Sequence, residues 1–415
     1  MIKKLVVSNY RSLGESVEIP LGQLTALVGI NAAGKSAILD VLRFVSECLR
    51  DGVAQALMKR NGLGAIRRRC EKPNIPITIR TELCLEAGEA VWEFSLQEDE
   101  RGDYLISREE CQWEPDYEAI RVNAIERFRQ RASDPDEPKK PFFQEHLSRL
   151  EAGDTEWLRV AFAPLRFEAA NGELILDREE ESRSYDPTAL LLPFRHEDDF
   201  KNVVVALRNI ACYTIFPDQL RPPQKPDSVR RPMDEHGANW TSTLRRLKKE
   251  GAGQEILAAL GRIVGDITDY RVTAVGGYLV SEFRHAGRQW LDASAESDGT
   301  LRIAGLLTAL LQEPALTLLG VEEPELTVHP GALPVLFDFL REASQRSQIV
   351  LSTHSPDLLD LLDVEQILVV SRGETTTVAK VASEQRTAIR QHLFSTSDLL
   401  RAEGLRPERG ESDHG

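Results

Sequence analysis

The eight residues GINAAGKS, at 29–36, lie between the apolar run LTALV and the amphipathic stretch SAILDVLRFVSECLR. A strand, a glycine-rich loop closing on Lys-Ser, and a helix in that order leave few folds open, because the loop must point its backbone N–H groups at one place. Glycine at 29 and 34 permits backbone angles that a β-carbon disfavours, so successive N–H groups can converge on phosphate oxygens at the positive end of the following helix. Lys35 then supplies a mobile cation for β- and γ-phosphates, and Ser36 a hydroxyl for a magnesium ion. Asn31, Gly34, Lys35 and Ser36 are the candidate nucleotide-contacting residues, with ATP and Mg2+ as the expected ligands. Upstream, KKLVVSNY and SVEIPL read as two further strands. Arg11 lies in the turn between them.

Far downstream, ALTLLGVEEPELTVHP carries an apolar strand over 316–321 that ends in Glu322 and Glu323. Acids at the carboxyl end of a buried parallel strand sit where α/β sheets place their ligands. Glu322 is the candidate metal ligand. The following residue points to the other side of the strand, which makes Glu323 the candidate to orient or deprotonate an attacking water. A third strand, in SQIVLSTHSPDLLDLL, ends at His354, placed to hydrogen-bond a γ-phosphate if this strand neighbours the carboxylate strand. Between these elements, ESDGTLRIAG at 296–305 is a second small polar loop that opens an apolar helix. Ser297 or Asp298 caps it, and with Gly299 the helix start offers another anion site.

GINAAGKS, SDGTLR, VEEPE with HP at 329–330, and STHSPD, in this order, resemble the ATPase core shared by ABC-type, SMC, RecF and OLD proteins, most nearly the RecF-like ATPases of the ABC-type AAA class. The resemblance covers residues 1–60 and 210–400. It implies an α/β P-loop NTPase of the ABC-ATPase type: a mixed, mainly parallel sheet flanked by helices, N-terminal antiparallel strands, and an inserted α+β and helical lobe. It also implies that Ser297 and Gly299 belong to a signature loop that closes over the ATP of a second, head-to-tail copy, giving a homodimer or higher oligomer. Glu323 and His354 become the catalytic pair, Glu322 and Ser36 the metal ligands, and Arg11 a further nucleotide contact. The activity implied is ATP hydrolysis coupled to DNA repair or anti-phage defence, with DNA and a separately encoded nuclease or toxin as partners. The nucleotide-binding subunit of a membrane transporter, and an ATP sensor that restrains a toxin without hydrolysis, share the same motifs.

The expected division is 1–60 for the first half of the ATPase core, 61–265 for inserted strands and a helical lobe, 266–385 for the second half, and 386–415 for a tail. Within the insertion, residues 76–114 alternate like two or three antiparallel strands, and LRFEAANGELILD reads as a hairpin turning at Asn171-Gly172. ERFRQRASDPDEPKKP reads as a charged helix end and a linker, and no heptad run persists long enough for SMC-type coiled-coil arms. In LRRLKKE, at 244–250, Leu244 and Leu247 are expected to face the core and Arg245, Arg246, Lys248 and Lys249 to point to solvent or phosphate.

Formal charge is −15, from 51 Lys and Arg against 66 Asp and Glu, which disfavours a general DNA-coating role. Five scattered cysteines without a CxxC pair, and a start without signal-peptide pattern, fit a cytoplasmic protein. The most apolar long run is broken by Gln312, Glu313 and Pro314, so no membrane span is expected. The roughly 60 residues after His354 are too few for the Toprim domain of an OLD nuclease.

Overall fold

Five apolar runs pair in parallel because each is buried on both faces, which is what a central α/β sheet requires. In the computed structural model, which describes residues 1–69, 74–132, 147–153, 155–161, 164–171, 173–176, 183–184, 186–195, 198–229 and 231–408, these runs form most of a six-stranded sheet. Its order is Ile210–Tyr213, Leu318–Glu322, Gln348–Thr353, Leu24–Val28, Ile367–Arg372 and Thr376–Lys380. All neighbours are parallel except the last pair. Every residue of Leu24–Val28 and of Gln348–Thr353 is buried.

The chain clusters into two units, one of residues 1–9 and 48–206, the other of residues 10–47 and 207–415. The six-stranded sheet lies in the second unit, so residues 207–265, expected as part of the insertion, cluster with the phosphate loop. The helix Asp298–Leu311 is buried at every position from Thr300 onward. Such a helix, buried on every face, has to be enclosed by other elements. One of them is the helix Trp240–Glu250, whose Trp240 indole N–H donates to Thr308 Oγ1 at 3.0 Å. Leu244 and Leu247 of that helix are buried and Arg245, Lys248 and Lys249 are exposed, as their spacing predicts, whereas Arg246 is half-buried and donates to the Arg231 carbonyl at 3.2 Å. A three-stranded meander, Ile267–Val275, Tyr278–His285 and Trp290–Asp292, turns first through Gly276 and Gly277, both at positive φ. The helix Ser383–Arg390 runs across the expected start of the tail at 386, and a second helix, Thr396–Ala402, lies within it. Among the described residues no helix is long and apolar enough to cross a membrane.

The first unit is built on an antiparallel sheet in the order Ile2–Ser8, Ile77–Leu85, Gly88–Glu98, Tyr104–Pro115, Leu165–Ala170, Glu173–Leu176 and Arg183–Ser184. Three strands therefore occupy the alternating stretch. The expected hairpin pairs Phe167 with Leu176, and Asn171 turns at φ 50°, whereas Gly172 lies outside the described residues. The charged helix is Tyr117–Ala132, and the linker expected after it also lies outside them.

Glu109 is enclosed in this sheet at 1% exposure. Its carboxylate accepts from the Trp92 indole at 3.0 Å and from the N–H groups of Leu191 and Leu192 at 2.5 and 3.0 Å. Burial pushes its carboxyl up to about 7, against the pull of those donors. The folded state thus holds the proton more tightly than the unfolded chain, so this group's contribution to stability is present below the ordinary carboxyl range and is lost as pH rises through about 7. The loss is on the order of 3 kcal/mol. In thermal unfolding the advantage of wild type over Glu109→Gln is expected to be largest at pH 5 and to shrink by pH 8; a difference that does not change with pH would refute this.

Candidate functional site

The strand register gathers the chemistry. Thr353 pairs with Val28 and Ser352 with Glu322, so the loop after Leu24–Val28, the acids after Leu318–Glu322 and the turn after Gln348–Thr353 emerge on one rim. Parallel strands place their carboxyl ends together, which is why residues some 300 positions apart can share a cleft. Arg11, Asn31, Gly34, Lys35, Ser36, Glu322, Glu323 and His354 all line one cavity of about 400 Å³.

Within the loop the two glycines serve different ends. Gly34 has φ +118°, and a β-carbon there would lie 2.5 Å from Thr376 Oγ1. Gly29 is not left-handed, contrary to the expectation from its spacing. A β-carbon at Gly29 would sit 2.0 Å from the Val370 carbonyl, so it is the neighbouring strand that requires glycine. Lys35 is 6% exposed, and its ammonium donates to the carbonyls of Gly29 and Ile30 at 2.7 and 3.1 Å. Burial lowers its pKa below the usual lysine value, while Glu323 and Glu322 pull the other way. Asn31, in the loop, and Ser36, in the first turn of the helix Lys35–Asp51, are exposed and line the cavity. Arg11, at φ +51°, places its guanidinium 2.8 Å from Asp40, which also accepts from the Tyr10 hydroxyl at 2.7 Å.

The two acids do not alternate across the strand as expected. The strand ends at Glu322, and Glu323 turns left-handed at φ +45°, so both side chains line the same cavity. A non-glycine residue in that region costs on the order of 1 kcal/mol or more and persists only where its surroundings hold it. Here the Glu323 N–H donates to the Ser352 carbonyl at 3.0 Å, and the Arg302 guanidinium donates to the Glu323 carbonyl at 3.2 Å and to that of Ile215 at 2.9 Å. Glu322 accepts from the Thr214 hydroxyl at 3.2 Å. His354 Nε2 stands 3.7 Å from Glu323 Oε1, too far for a hydrogen bond. Its backbone N–H donates to Glu325 at 3.1 Å, and Thr353 Oγ1 does so at 2.6 Å.

Arg302, Glu325 and Arg372 escape the sequence reading. Arg302 is 7% exposed, with its pKa lowered by burial against the opposing pull of Glu323, Glu325 and Glu322. Its signal was a lone arginine inside an otherwise apolar helix. Arg372 lines the cavity and donates to the Ala32 carbonyl at 3.1 Å, from the end of a strand whose sequence marks it only as a surface position.

The residues present fit a nucleotide and magnesium in two respects. The cradle at Gly34 is one that a β-carbon would fill, and the buried Lys35 ammonium is held by carbonyls that phosphate oxygens can replace. Among the described residues no group of three or more His, Cys, Asp or Glu side chains could hold a metal alone. Ser36, Glu322 and phosphate oxygens together would make the kind of partial shell that magnesium takes.

Ser297 and Gly299 lie elsewhere. Ser297 is exposed and caps the helix Asp298–Leu311, its Oγ accepting from the Thr300 N–H at 3.0 Å. A β-carbon at Gly299 would meet the Thr327 carbonyl at 2.8 Å. Neither residue lines the cavity.

Residues 24–360, which span all three rim elements and the loop at 296–305, match the family described as "AAA domain, putative AbiEii toxin, Type IV TA system". The chain belongs to this AAA domain family. Over 45 residues this AAA domain protein is 51% identical to an OLD nuclease of Thermus scotoductus, a stretch that amounts to 11% of the chain and 8% of that nuclease. In fold it is similar to the SmcHead bound to the C-winged helix domain of ScpA, with TM-score 0.52 and 15% identity, over 92% of this chain and 99% of that one. An SMC head domain from Thermotoga maritima aligns with TM-score 0.44 and 14% identity, over 92% and 98% of the two chains.

Proposed function

We propose that this AAA domain protein is a magnesium-dependent ATPase whose two copies close head to tail around ATP. The observation that carries the reading is the strand register that sets Lys35, Ser36, Glu322, Glu323 and His354 around one cavity. Lys35 exchanges its carbonyl partners for β- and γ-phosphate oxygens. Magnesium, held through Ser36 and Glu322, would neutralise phosphate charge. Glu323, fixed in its turn by Ser352 and Arg302, accepts the proton of an attacking water, and His354 donates to the γ-phosphate. Ser297 and Gly299 stand away from this cavity at an exposed helix N-terminus, the arrangement expected if they serve the nucleotide of a second copy. A few charge-assisted hydrogen bonds of roughly 1.5–3 kcal/mol each suffice for the γ-phosphate to decide whether the dimer closes.

DNA repair or anti-phage defence, with a separate nuclease or toxin as effector, is the setting proposed for this cycle. Its support is the family description, which names a toxin–antitoxin system, and the local identity to an OLD nuclease. The direct test is sedimentation. With magnesium and a non-hydrolysable ATP analogue the protein is expected to run as a dimer, and with ADP as a single chain. A single chain in both would overturn the head-to-tail reading.

A further inference from the structure

Ser297 stands between two acids, Glu296 and Asp298, in a loop that is read above as meeting phosphates. Two carboxylates beside such a loop would repel the ligand, yet each is compensated by a cation or a histidine from outside the loop. Glu296 turns inward at 6% exposure, its Oε1 2.8 Å from His285 Nε2. The other ring nitrogen of His285 lies 2.8 Å from Asp266 Oδ1. Burial disfavours the charged imidazole, but the bonds to Glu296 and Asp266 outweigh it and raise its pKa above the ordinary histidine value. Asp298 pairs with Arg221, which follows the short helix Pro217–Leu220.

Arg221 also grips the backbone, since its guanidinium donates to the carbonyls of Ser294 at 3.2 Å and Glu296 at 2.8 Å. Asp292 completes the hold by accepting from the Ser294 N–H at 2.7 Å. Residues 294–298 are therefore tied at both their main chain and their charges, while Ser297 itself stays exposed.

We propose that Arg221 and His285 are positioning residues for the signature loop, presetting its backbone and cancelling the charges of Asp298 and Glu296 so that the loop accepts the triphosphate held by a second copy. This rests on the head-to-tail reading. Neither residue lines the cavity of its own chain, so their effect belongs to dimer closure and not to nucleotide capture. In a pure structural role Arg221 would support the fold wherever nucleotide is bound, and removing the charge of Asp298 would bring no relief.

The test measures single-chain ATP affinity and analogue-driven dimerisation separately. Arg221→Ala is expected to leave ATP affinity within about 2-fold of wild type and to weaken dimerisation at least ~10-fold. Adding Asp298→Asn recovers the part of that loss due to uncompensated charge, and Glu296→Gln does the same for His285→Ala. Wild-type dimerisation in Arg221→Ala, a parallel fall in ATP affinity, or no rescue by Asp298→Asn would each overturn the proposal. The bulky replacement Ser297→Arg separates the two ideas. If it too leaves dimerisation intact, the head-to-tail reading itself fails; if it blocks dimerisation while Arg221→Ala does not, only the positioning role fails.

Discussion

Lys35→Ala is expected to weaken ATP binding at least ~100-fold and to remove ATP-driven dimerisation with it. Lys35 is a buried cation in the cavity lining, and two charge-assisted bonds to phosphate at roughly 1.5–3 kcal/mol each correspond to a factor of that size or more. The same substitution frees the carbonyls of Gly29 and Ile30, which Lys35 holds at 2.7 and 3.1 Å. Some loosening of the loop is therefore expected, and a thermal melt close to wild type separates it from general unfolding. Calorimetric titration with ATP and magnesium is the measurement; unchanged affinity would remove the phosphate-loop assignment.

Glu323→Gln should bind ATP as wild type does, slow hydrolysis by at least ~100-fold, and accumulate the closed dimer. Glutamine keeps the volume and the φ +45° turn, because that turn is held by backbone bonds to Ser352 and Arg302 and not by the carboxylate. What is lost is the capacity to accept a proton from water. Single-turnover hydrolysis with radiolabelled ATP reads this directly, alongside the fraction of dimer. Wild-type turnover would assign the water to another group; Glu322 and His354 line the same cavity and become the next residues to replace.

Much of the site was legible because its chemistry is local. Eight consecutive residues define the phosphate loop, and the runs before Glu322 and His354 read as buried strands from their unbroken apolar character. Their juxtaposition was conditional on which strands are neighbours. Periodicity describes a strand but not its partner, so it took the register to bring Glu322 level with Ser352 and Thr353 level with Val28. Ser297 shows the opposite limit. Its capping role follows from its position before the helix, whereas no local pattern encodes what a second copy would bring to it.

The amino-acid order by itself determined the α/β character, the phosphate loop, the acids and histidine at strand ends, and the apolar helix behind SDGTLR, because each is set by bonds and periodicities within one turn or one strand. Tertiary structure alone decided that Gly29 answers to the Val370 carbonyl, that Glu323 leaves the strand left-handed and shares a cavity with Glu322, and that Arg302 reaches the carbonyl of Glu323. Those outcomes depend on close approach between segments distant in sequence. Such approach is fixed by the packing of the whole sheet and its helices, and no local pattern encodes it.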